Sequence, residues 1–552
     1  MNGHSRAERK PSYMEAVHNS TTEEPVKLKS LKRNSSSSDC EAAVKANSVS
    51  GIESPLDTFV ASSDVGNVDK EQSFPTRSHK WRDFSEYATL HGFKYIFVRR
   101  SFWARVVWLI LLMTCTGYVI YSLCNSIIKY FDFPIATIMK IKYPDDTMPF
   151  PAITLCPMTM ISKRKASMRD DDPDFIQLGL NIEACEATAN VRAGRPCGEA
   201  LLCCCFSSDI ILDVEATIDN CTEDYKNELK AVLNSNKRLF NLRDFYKAYG
   251  LDLSRMIVPG TCQFGSSDKP CTYRNFTEVV TNFGKCYSFN SAPGDDVLQV
   301  SYGDLSAGLF VMLNLYTDDH QFGLLSEGIR VLVHNQGEYI NPWNSALVAP
   351  GSHAQISIKR KVYRNKKTPY ETECDDSIKL TNFQTYTSDG CYYECLSKKT
   401  LAACKCRDIG DNSNSADRVC SREDQYCTYK VYNDVLHKGT NTCHCPLACD
   451  VTVYEPTIST AAFPNPSMVK ILQRKDFNRT EDYFRKNLVY LQVGYKTFSY
   501  ELFRQKAQYD SGALMGEIGG NMGLFLGSSI LTVFEFVDFV IYLCSRRNKK
   551  DS

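Results

Sequence analysis

The sequence predicts an α+β membrane protein in which two transmembrane helices flank a large, disulfide-rich extracellular domain. Two segments, Phe102–Cys124 and one within residues 511–544, are apolar over about the 20 residues that a bilayer-spanning helix needs. Twenty of the 24 cysteines lie between these segments, from Cys156 to Cys449. A dense, even set of cysteines is typical of chain on the oxidising side of a membrane.

Basic residues adjoin both apolar segments and indicate the topology. They are Lys94, Arg99 and Arg100 before the first segment, and Arg546, Arg547, Lys549 and Lys550 in the tail 545–552 after the second. By the positive-inside rule both termini are cytosolic and residues 125–510 lie outside the cell. We therefore expect a multi-pass plasma-membrane protein in contact with the lipid bilayer. The 64 basic and 64 acidic residues cancel, which argues against a dedicated nucleic-acid binder.

The chain before the first span divides into two parts. Residues 1–80 are rich in Ser, Lys, Glu and Asn, cannot bury a core and are predicted to be a disordered cytosolic tail. Residues 81–101 form a pre-span segment with apolar and aromatic residues at roughly helical intervals, interrupted by a His91-Gly92 step. Because so long a polar stretch precedes Phe102–Cys124, that span is not a cleaved signal peptide.

Strand patterns recur along the extracellular domain. FPAITLCP at 150–157 is typical of a buried strand, and alternating apolar residues between 284 and 335 predict several more. Residues 348–364 predict a further pair of strands, and YLQVGYKTFSYELF at 490–503 predicts a last strand leading into the second span. Glycosylation sequons at Asn220, Asn275 and Asn478 agree with an extracellular location.

Two regions of this domain are especially rich in cysteine. The polar segment 158–250 contains six, and because adjacent cysteines rarely bridge each other, the triplet Cys203–Cys205 is expected to have three different partners. The pairing within this segment stays open among Cys185, Cys197, Cys203, Cys204, Cys205 and Cys221. Residues 374–449 hold ten cysteines around a predicted helix, a subdomain small enough to need staples. Zinc is the competing explanation for the C-x-C pairs, but their spacing favours disulfides, and we expect no metal or cofactor.

The second span, 511–544, is unusual for a lipid anchor. From Gly516 to Cys544 it carries glycines at four-residue intervals, a spacing that lets helices approach closely in a membrane. In a continuous helix Ser528, Glu535 and Asp538 fall on one face. A charge at membrane depth costs roughly 2.5 kcal/mol or more unless it faces water or a partner. This face therefore predicts a cation pore; the alternative is an ordinary anchor with two carboxylates at its cytosolic edge.

Several of these motifs occur together in one known family. His91-Gly92 before the first span, FPAITLC after it, GKCYSFN at 284–290, VAPG at 348–351 and GEIGGNMGLFLGSS at 516–529 resemble the degenerin/epithelial sodium channel family. That family includes acid-sensing and neuropeptide-gated channels. The resemblance covers about residues 81–545, except for most of the segment 158–250. It implies a homotrimeric or heterotrimeric channel that conducts Na⁺, is sensitive to amiloride, and has a β-sheet palm, a finger (158–250) and a helical thumb (374–449).

The resemblance also assigns roles to single residues. Gly527, Ser528 and Ser529 match the selectivity filter, and Glu535 with Asp538 would attract cations at the inner mouth. Four further positions match gating residues: Gly516 beside Glu517, and His91 with Gly92. Tyr370 matches the aromatic residue before the thumb that contacts the first span.

The disulfide order that the resemblance implies leaves the finger to pair within itself. It is Cys156–Cys286, Cys262–Cys271, Cys374–Cys449, Cys391–Cys445, Cys395–Cys443, Cys404–Cys427 and Cys406–Cys420.

The sequence departs from acid-sensing relatives at residues that bear on the gating stimulus. Those members tend to carry histidine just outside the first span, where this chain reads FDFPIATI, and a near-neutral proton sensor most simply needs His or coupled carboxylates. His334 matches a position shared across the family and is interpreted as structural. We therefore expect an extracellular ligand, with a neuropeptide as the first hypothesis. Protons, mechanical load, amphiphiles and constitutive opening remain alternatives.

Other protein classes explain the sequence less well. An ATP-gated two-span receptor would need lysine-rich phosphate sites and about half as many cysteines, by comparison with that class. A non-conducting membrane receptor would not explain polar residues along the second span. The chain has no P-loop, HExxH or GxSxG motif and is predicted not to be an enzyme.

Overall fold

The computed structural model describes residues 81–82, 84–86, 88–97, 101–205, 221–235, 240–265, 270–292, 296–323, 326–411, 417–421, 424–437, 442–474 and 479–548. Several predictions fall outside these residues: the disordered tail 1–80, the sequons at Asn220 and Asn478, and the basic residues Arg99, Arg100, Lys549 and Lys550.

The described residues form a mixed helix and sheet structure. The strands are β1 (Ile135–Lys142), β2 (Met148–Pro149), β3 (Ala152–Pro157), β4 (Thr159–Ser162), β5 (Gln263–Phe264), β6 (Phe276–Thr281), β7 (Gly284–Phe289), β8 (Gln299–Val300), β9 (Leu309–Asn314), β10 (His320–Gly323), β11 (Ile329–His334), β12 (Ala346–Val348), β13 (Ser352–Arg364), β14 (Asp450–Ala462) and β15 (Leu488–Ala507). The helices are α1 (Phe93–Phe97), α2 (Phe102–Phe131), α3 (Lys163–Ala166), α4 (Pro173–Gln177), α5 (Glu183–Thr188), α6 (Cys197–Cys205), α7 (Glu223–Ser235), α8 (Leu242–Tyr249), α9 (Leu253–Met256), α10 (Ser388–Cys404), α11 (Gln425–His437), α12 (Pro466–Arg474), α13 (Glu481–Asn487), α14 (Ser511–Leu526) and α15 (Ile530–Asn548).

The first span is longer than the sequence predicts. Helix α2 continues past Cys124 to Phe131 because residues 125–131 contain no helix breaker and Pro134 is the first proline after them. Among the described residues α2 is the one helix long and apolar enough to cross a bilayer by itself. Helices α14 and α15 pass the same test only if the pair is counted as one broken span.

A six-stranded sheet connects α2 and α14 to the disulfide-rich domain. Its order is β14-β13-β15-β9-β5, with β1 paired to β15 on the side of the spans. Strand β1 follows α2 and strand β15 precedes α14, and they pair antiparallel from Ile135 opposite Ala507 to Lys142 opposite Tyr500. The Gln508 N–H donates to the Pro134 carbonyl across 2.8 Å and closes this ladder. Any displacement of β1 against β15 therefore moves the two spans.

A five-stranded sheet, β12-β11-β3-β7-β6, packs on the first. The largest core cluster contains Ile153 and Ile329 of this sheet together with Leu309 and Val493 of the six-stranded one. The sequence predicted a strand pair within 348–364, and this was wrong. Val348 ends β12, Ser352 begins β13, and the two strands belong to different sheets.

The finger segment is mostly helical. Helices α3–α8 share a core that includes Phe175, Leu201 and Phe245, each nearly or fully buried. Its disulfides are Cys185–Cys197, Cys203–Cys221 and Cys204–Cys205. The prediction of three different partners for the triplet was therefore wrong. Cys203 pairs outside the triplet, and Cys204 and Cys205, with Cα atoms 3.7 Å apart at the end of α6, pair with each other.

The thumb consists of helices α10 and α11. Thr387 caps α10 by accepting a hydrogen bond from the Gly390 N–H (3.0 Å). The predicted helix, TSDGCYYECLSKKTLAACKC at 387–406, includes this cap and extends two residues beyond Cys404, where α10 ends. Disulfides join α10 to the chain that follows it, so a subdomain with little apolar core is held by covalent links.

Candidate pore segment and gating contacts

The predicted second span is broken at the three residues assigned to the filter. Helix α14 ends at Leu526, Gly527 has φ 57°, and α15 begins at Ile530 with its axis bent by 71° from α14. Few residues other than glycine adopt a positive φ without strain. The Ser528 N–H donates to the Met522 carbonyl (3.3 Å), and the Ser529 hydroxyl accepts from the Leu531 N–H (3.2 Å) as α15 begins.

This break corrects one prediction. Ser528 lies between the helices and so does not share a continuous helical face with Glu535 and Asp538. Those two carboxylates remain one turn apart on α15.

The pre-span segment folds back against the break. The His91 N–H donates to the Leu526 carbonyl (3.0 Å), and His91 Nδ1 lies 2.9 Å from the Gly527 carbonyl oxygen. A carbonyl only accepts, so Nδ1 carries the proton in this contact. A Cβ added to Gly527 would overlap the His91 imidazole. Gly92, at φ 85°, turns the chain beside the Trp108 ring. The structure thus brings the His-Gly step and the filter residues together.

A chain of hydroxyl groups continues from the filter into α15. The Ser529 N–H donates to Thr532 Oγ1 (3.1 Å), and Thr532 Oγ1 lies 2.5 Å from Thr89 Oγ1. The Thr89 hydroxyl and backbone N–H both donate to Glu535 Oε2, at 3.2 and 3.0 Å. Because a hydroxyl has one proton, Thr532 must donate to Thr89. The four residues form a directed relay from the filter to the Glu535 carboxylate.

The two predicted cation-attracting carboxylates have different surroundings. Glu535 is half-buried and engaged by Thr89, whereas Asp538 is exposed. Both line a cavity of about 500 Å³ with Phe84 and Phe539. The Phe84 and Phe539 rings stack with centroids 4.1 Å apart, and Trp81 meets the Phe539 ring edge-on at 5.0 Å. Aromatic packing therefore fastens the pre-span segment to α15.

Gly516 and Glu517 lie at the other end of α14. A Cβ on Gly516 would meet no described atom within 4 Å, so this face of the helix is open in the single chain. The Tyr509 hydroxyl donates to the Glu517 carboxylate, and the Lys129 ammonium lies 4.7 Å from the Tyr509 ring centroid. The end of α2 thus reaches Glu517 through Tyr509.

Tyr370 contacts the chain just after the first span. Its ring meets Phe133 edge-to-face with centroids 5.7 Å apart, and the Lys366 ammonium lies 5.1 Å from the same ring. Phe133 itself has φ 47° and follows α2 directly. The thumb side of the domain therefore touches the top of the first span through one aromatic pair.

The cysteine pairs implied by the resemblance are bonded in the structure. They are Cys156–Cys286, Cys262–Cys271, Cys374–Cys449, Cys391–Cys445, Cys395–Cys443, Cys404–Cys427 and Cys406–Cys420. Cys406 and Cys420 lie near Asp424, but their sulfurs are bonded to each other and cannot also bind a metal ion. Asn275 is exposed, as a glycosylated asparagine must be.

His334 has the environment of a structural residue. Its Nε2 lies 2.8 Å from the Thr154 hydroxyl and its Nδ1 2.7 Å from the Asn335 carbonyl. Burial lowers the pKa of His334 to about 4. A histidine with that pKa does not titrate near neutral pH.

Sequence reasoning missed three residues of the site: Thr89, Thr532 and Phe133. The threonines looked like ordinary polar residues because their partners lie 443 and 446 positions away in the chain. The one available signal was Thr532 itself, a hydroxyl three positions after Ser529 where a helix was expected to begin or bend.

The broken, glycine-containing segment α14–α15 contacts the pre-span segment and continues from a strand of the disulfide-rich domain, an arrangement expected of an ion channel. Residues 84–539 match the family model described as amiloride-sensitive sodium channel, and the chain belongs to that family, the degenerin/epithelial sodium channel family. It is a cation channel and not an enzyme.

The chain is also similar to individual channels. The chain is 29% identical over 489 residues to acid-sensing ion channel 1C of Danio rerio, covering 86% of this chain and 85% of the relative. It is 25% identical over 477 residues to the human bile acid-sensitive ion channel, covering 84% of this chain and 86% of the relative. A solved proton-activated chloride channel aligns over 79% of this chain and 96% of its own at 6% identity with a TM-score of 0.26, which carries no conclusion.

Proposed function

We propose that the chain forms a trimeric, sodium-permeable, amiloride-sensitive channel of the plasma membrane, with cytosolic termini and two spans per subunit, opened by an extracellular peptide. The observation that carries this proposal is the break at Gly527–Ser529 between α14 and α15, held by His91. An ordinary lipid-facing anchor is a continuous helix. Irregular backbone at membrane depth is tolerated only where it is buried in protein or lines a water-filled path.

In the proposed pore, three copies of the break surround the ion path. His91 engages the Gly527 carbonyl, so in this conformation Ser528 and Ser529 are the filter residues left to supply oxygens to a partly dehydrated cation. The relay through Thr532 and Thr89 then fixes the position of Ser529. Asp538, exposed at the inner mouth, concentrates cations there, and Glu535 serves mainly to hold the pre-span segment.

Gating follows from the way the spans are attached. Both continue from the paired strands β1 and β15, and Tyr370 touches Phe133 at the same level. A ligand that binds the extracellular domain more tightly when these strands are in the open arrangement shifts the population of channels toward that arrangement.

A peptide stimulus is favoured over protons because the two positions considered offer no histidine that titrates near neutral pH. The junction Phe131–Ile135 holds none, and His334 has a pKa of about 4, so neither supplies a sensor near neutral pH. Both relatives named above are sensitive to other stimuli by name, and the peptide assignment therefore depends on this chain's own residues.

Acid gating through carboxylates is a second candidate with its own observation. Glu338 and Asp408 line one cavity of about 240 Å³. Burial raises the pKa of both, although hydrogen bonds from Asn335 to Glu338 and from Tyr393 to Asp408 act in the opposite direction. Groups with raised pKa take up protons at a higher pH than ordinary carboxylates, so a fall in pH would favour the described conformation over one in which both carboxylates are exposed to water.

Voltage-clamp recording from cells that express this chain alone distinguishes the two. We expect an inward sodium current, blocked by amiloride, in response to one member of a panel of short amidated peptides and not to acid. A current evoked by acid alone, reduced in Glu338→Gln and Asp408→Asn, would establish the second candidate instead. Silence toward both at confirmed surface expression would contradict a ligand-gated homomer.

A further inference from the structure

The six-stranded sheet carries an unbalanced set of charges where it approaches α2 and α14. There β1 pairs with residues 500–507 of β15, β15 pairs with residues 360–364 of β13, and β13 pairs with the start of β14. Partners in register, and alternate residues along one strand, point to the same face of a sheet. The register therefore shows which charged side chains share a face.

One face, which we call the basic face, carries six cationic side chains. They are Lys140 and Lys142 of β1, Arg360 and Arg364 of β13, and Arg504 and Lys506 of β15. All are exposed except Arg360, which is half-buried and lies 5.2 Å from the ring centroid of its register partner Tyr500. In these described strands the register places one carboxylate among them, Asp450, whose Oδ1 lies 3.3 Å from the Arg364 Nε.

The opposite face of the same strands pairs its charges. The Lys361 ammonium lies 2.6 Å from a Glu455 carboxylate oxygen and 3.9 Å from one of Glu501. On the basic face, four cations have no carboxylate oxygen within 4 Å among the described residues: Lys140, Lys142, Arg504 and Lys506. Because the whole chain has no net charge, this is a local excess and not the general composition of the surface.

The register also opposes like charges. Arg364 lies directly beside Arg504 on the neighbouring strand. Like charges in register destabilise a sheet, and the single carboxylate near them, Asp450, contacts only Arg364. An anion bound between the two guanidinium groups would remove this repulsion, so the basic face is suited to a negatively charged occupant.

The area over which the cations are spread indicates the shape of that occupant. Alternate residues of a strand are roughly 6.8 Å apart and neighbouring strands about 4.8 Å apart, so the basic face extends over roughly 20 Å by 10 Å. Its middle is formed by Val362 and Leu502, and the cations surround them instead of converging on one point. A linear polyanion can contact all of these cations at once, whereas a single phosphate or carboxylate cannot.

We infer that the basic face binds a sulfated glycosaminoglycan chain. Sulfate groups are fully ionised near neutral pH, and the guanidinium fork donates two parallel hydrogen bonds to such oxyanions. The inference rests on the extracellular location of residues 125–510 in the proposed function, since these polymers lie outside the cell. A chain that crosses β1 and β15 would hold together the two strands that continue into α2 and α14.

Binding of fluorescein-labelled heparin to the purified full-length channel, followed by anisotropy, tests the site without depending on current. The comparison probes are chemically desulfated heparin, which keeps its carboxylates and its length, and vesicles that contain phosphatidylserine. We expect heparin to bind at least about tenfold more tightly than the desulfated polymer, and its affinity to fall steeply with salt concentration because bound counterions are released.

Two double variants with equal changes in charge complete the test. Lys140→Gln with Arg504→Gln should weaken heparin binding roughly tenfold and lower the slope of log affinity against log salt concentration by about one to two. Lys359→Gln with Lys361→Gln removes the same charge from the opposite face and should leave binding nearly unchanged.

Several results would overturn the inference. They are equal losses in the two double variants, equal binding of the desulfated polymer, or no heparin binding because another subunit covers the basic face. Preferential binding of the vesicles would assign the face to a lipid surface instead.

Binding to intact cells separates this inference from the proposed function, because heparin does not cross membranes. The signal is the difference between cells that express the unmodified channel and cells that express the Lys140→Gln, Arg504→Gln variant. Binding to the purified channel but not to cells would keep the basic face and contradict the extracellular location. Binding to cells whose channel no peptide opens would keep this inference and contradict peptide gating, and a peptide-gated channel that binds no heparin would contradict this inference alone.

Discussion

At the residue scale, the hydroxyl group of Thr89 connects two side chains of α15. It connects Thr532, which is 3% exposed, to the Glu535 carboxylate, and so links the start of α15 to the pre-span segment. Thr89→Val keeps the shape but leaves the Thr532 hydroxyl without this acceptor, at a cost of about 1–3 kcal/mol. We expect smaller currents and an altered sodium-to-potassium permeability ratio, measured from reversal potentials under bi-ionic conditions.

Thr89→Ser is the matched control because it restores the hydroxyl without the methyl group. It should recover the permeability ratio of the unmodified channel. A Thr89→Val channel with unchanged currents and ratio would show that the relay has no part in permeation.

His334 predicts a pH dependence of stability. Its pKa is about 4 in the folded chain against about 6.5 when unfolded, so the unfolded state binds more protons between these values. Stability is therefore full above the unfolded pKa and falls as the pH drops toward 4, by roughly 2 kcal/mol between pH 7 and 5. His334→Asn should flatten this part of the pH profile of the unfolding temperature of the purified channel.

The exposed His437 provides the comparison. His437→Asn should keep the pH profile of the unmodified channel. If both substitutions leave the profile the same, His334 is not the group that titrates.

Single residues also mark the limits of sequence reasoning. Gly527 could be assigned to a helix break because glycine tolerates a positive φ and stands in a motif. Its contact with His91 could not be foreseen, because no local pattern connects residues separated by 436 positions. The prediction for Cys204 and Cys205 was wrong because it rested on how rarely adjacent cysteines bridge each other. In this segment the other four cysteines pair among themselves, which leaves these two as partners.

At the scale of the element, α14 is a helix with an open glycine face. Gly516→Phe places a bulky ring where the single chain offers no described neighbour within 4 Å, and in a trimer that ring would lie between subunits and hold them apart. We expect a standing, amiloride-blocked current without ligand. The measurement is whole-cell current normalised to surface-labelled protein.

Met515→Phe is the control for this prediction. Residue 515 points about 100° away around the helix, so the same ring there should give little standing current. A silent Gly516→Phe channel present at the cell surface would contradict the assignment of this position to gating.

Helices and strands were predictable where a local pattern of apolar residues or a helix-breaking residue determines them. The buried strand β3 and the last strand β15 follow from their apolar patterns, and the thumb helix α10 follows from residues at helical intervals. The division of 348–364 between two sheets was not predictable, because strand partners depend on contacts distant in sequence. The length of α2 was underestimated because a hydropathy pattern indicates which residues fit the bilayer core, but not where the helix ends.

At the scale of the whole molecule, the pair Tyr370 and Phe133 joins the chain before the thumb to the residues just after α2. An edge-to-face pair contributes about 0.5–1.5 kcal/mol, so Tyr370→Ala should shift the opening equilibrium by roughly two- to twelvefold. We expect a lower maximal ligand-evoked current with ligand binding little changed, measured by dose-response recording beside a direct binding assay. Tyr370→Phe retains the ring and should retain the response.

If Tyr370→Ala changes binding and maximal current in parallel, the residue belongs to the ligand site and not to the link with the span. The mixed helix and sheet fold with its many disulfides was accessible from sequence, because the apolar patterns, the cysteines and the family motifs agree with one another. The arrangement of the pore was not, since it is assembled from the two ends of the chain.

That contact between the two ends has a consequence for biosynthesis. His91 is made early, and its partner Gly527 is 436 residues further along the chain. At about 5–20 residues per second a ribosome needs roughly 20–90 s to span that interval. Throughout that time the pre-span segment lacks the helix it packs against, and Trp81 and Phe84 lack their contacts with Phe539. The candidate pore segment is thus among the last parts of the molecule to fold, after the whole disulfide-rich domain has been synthesised.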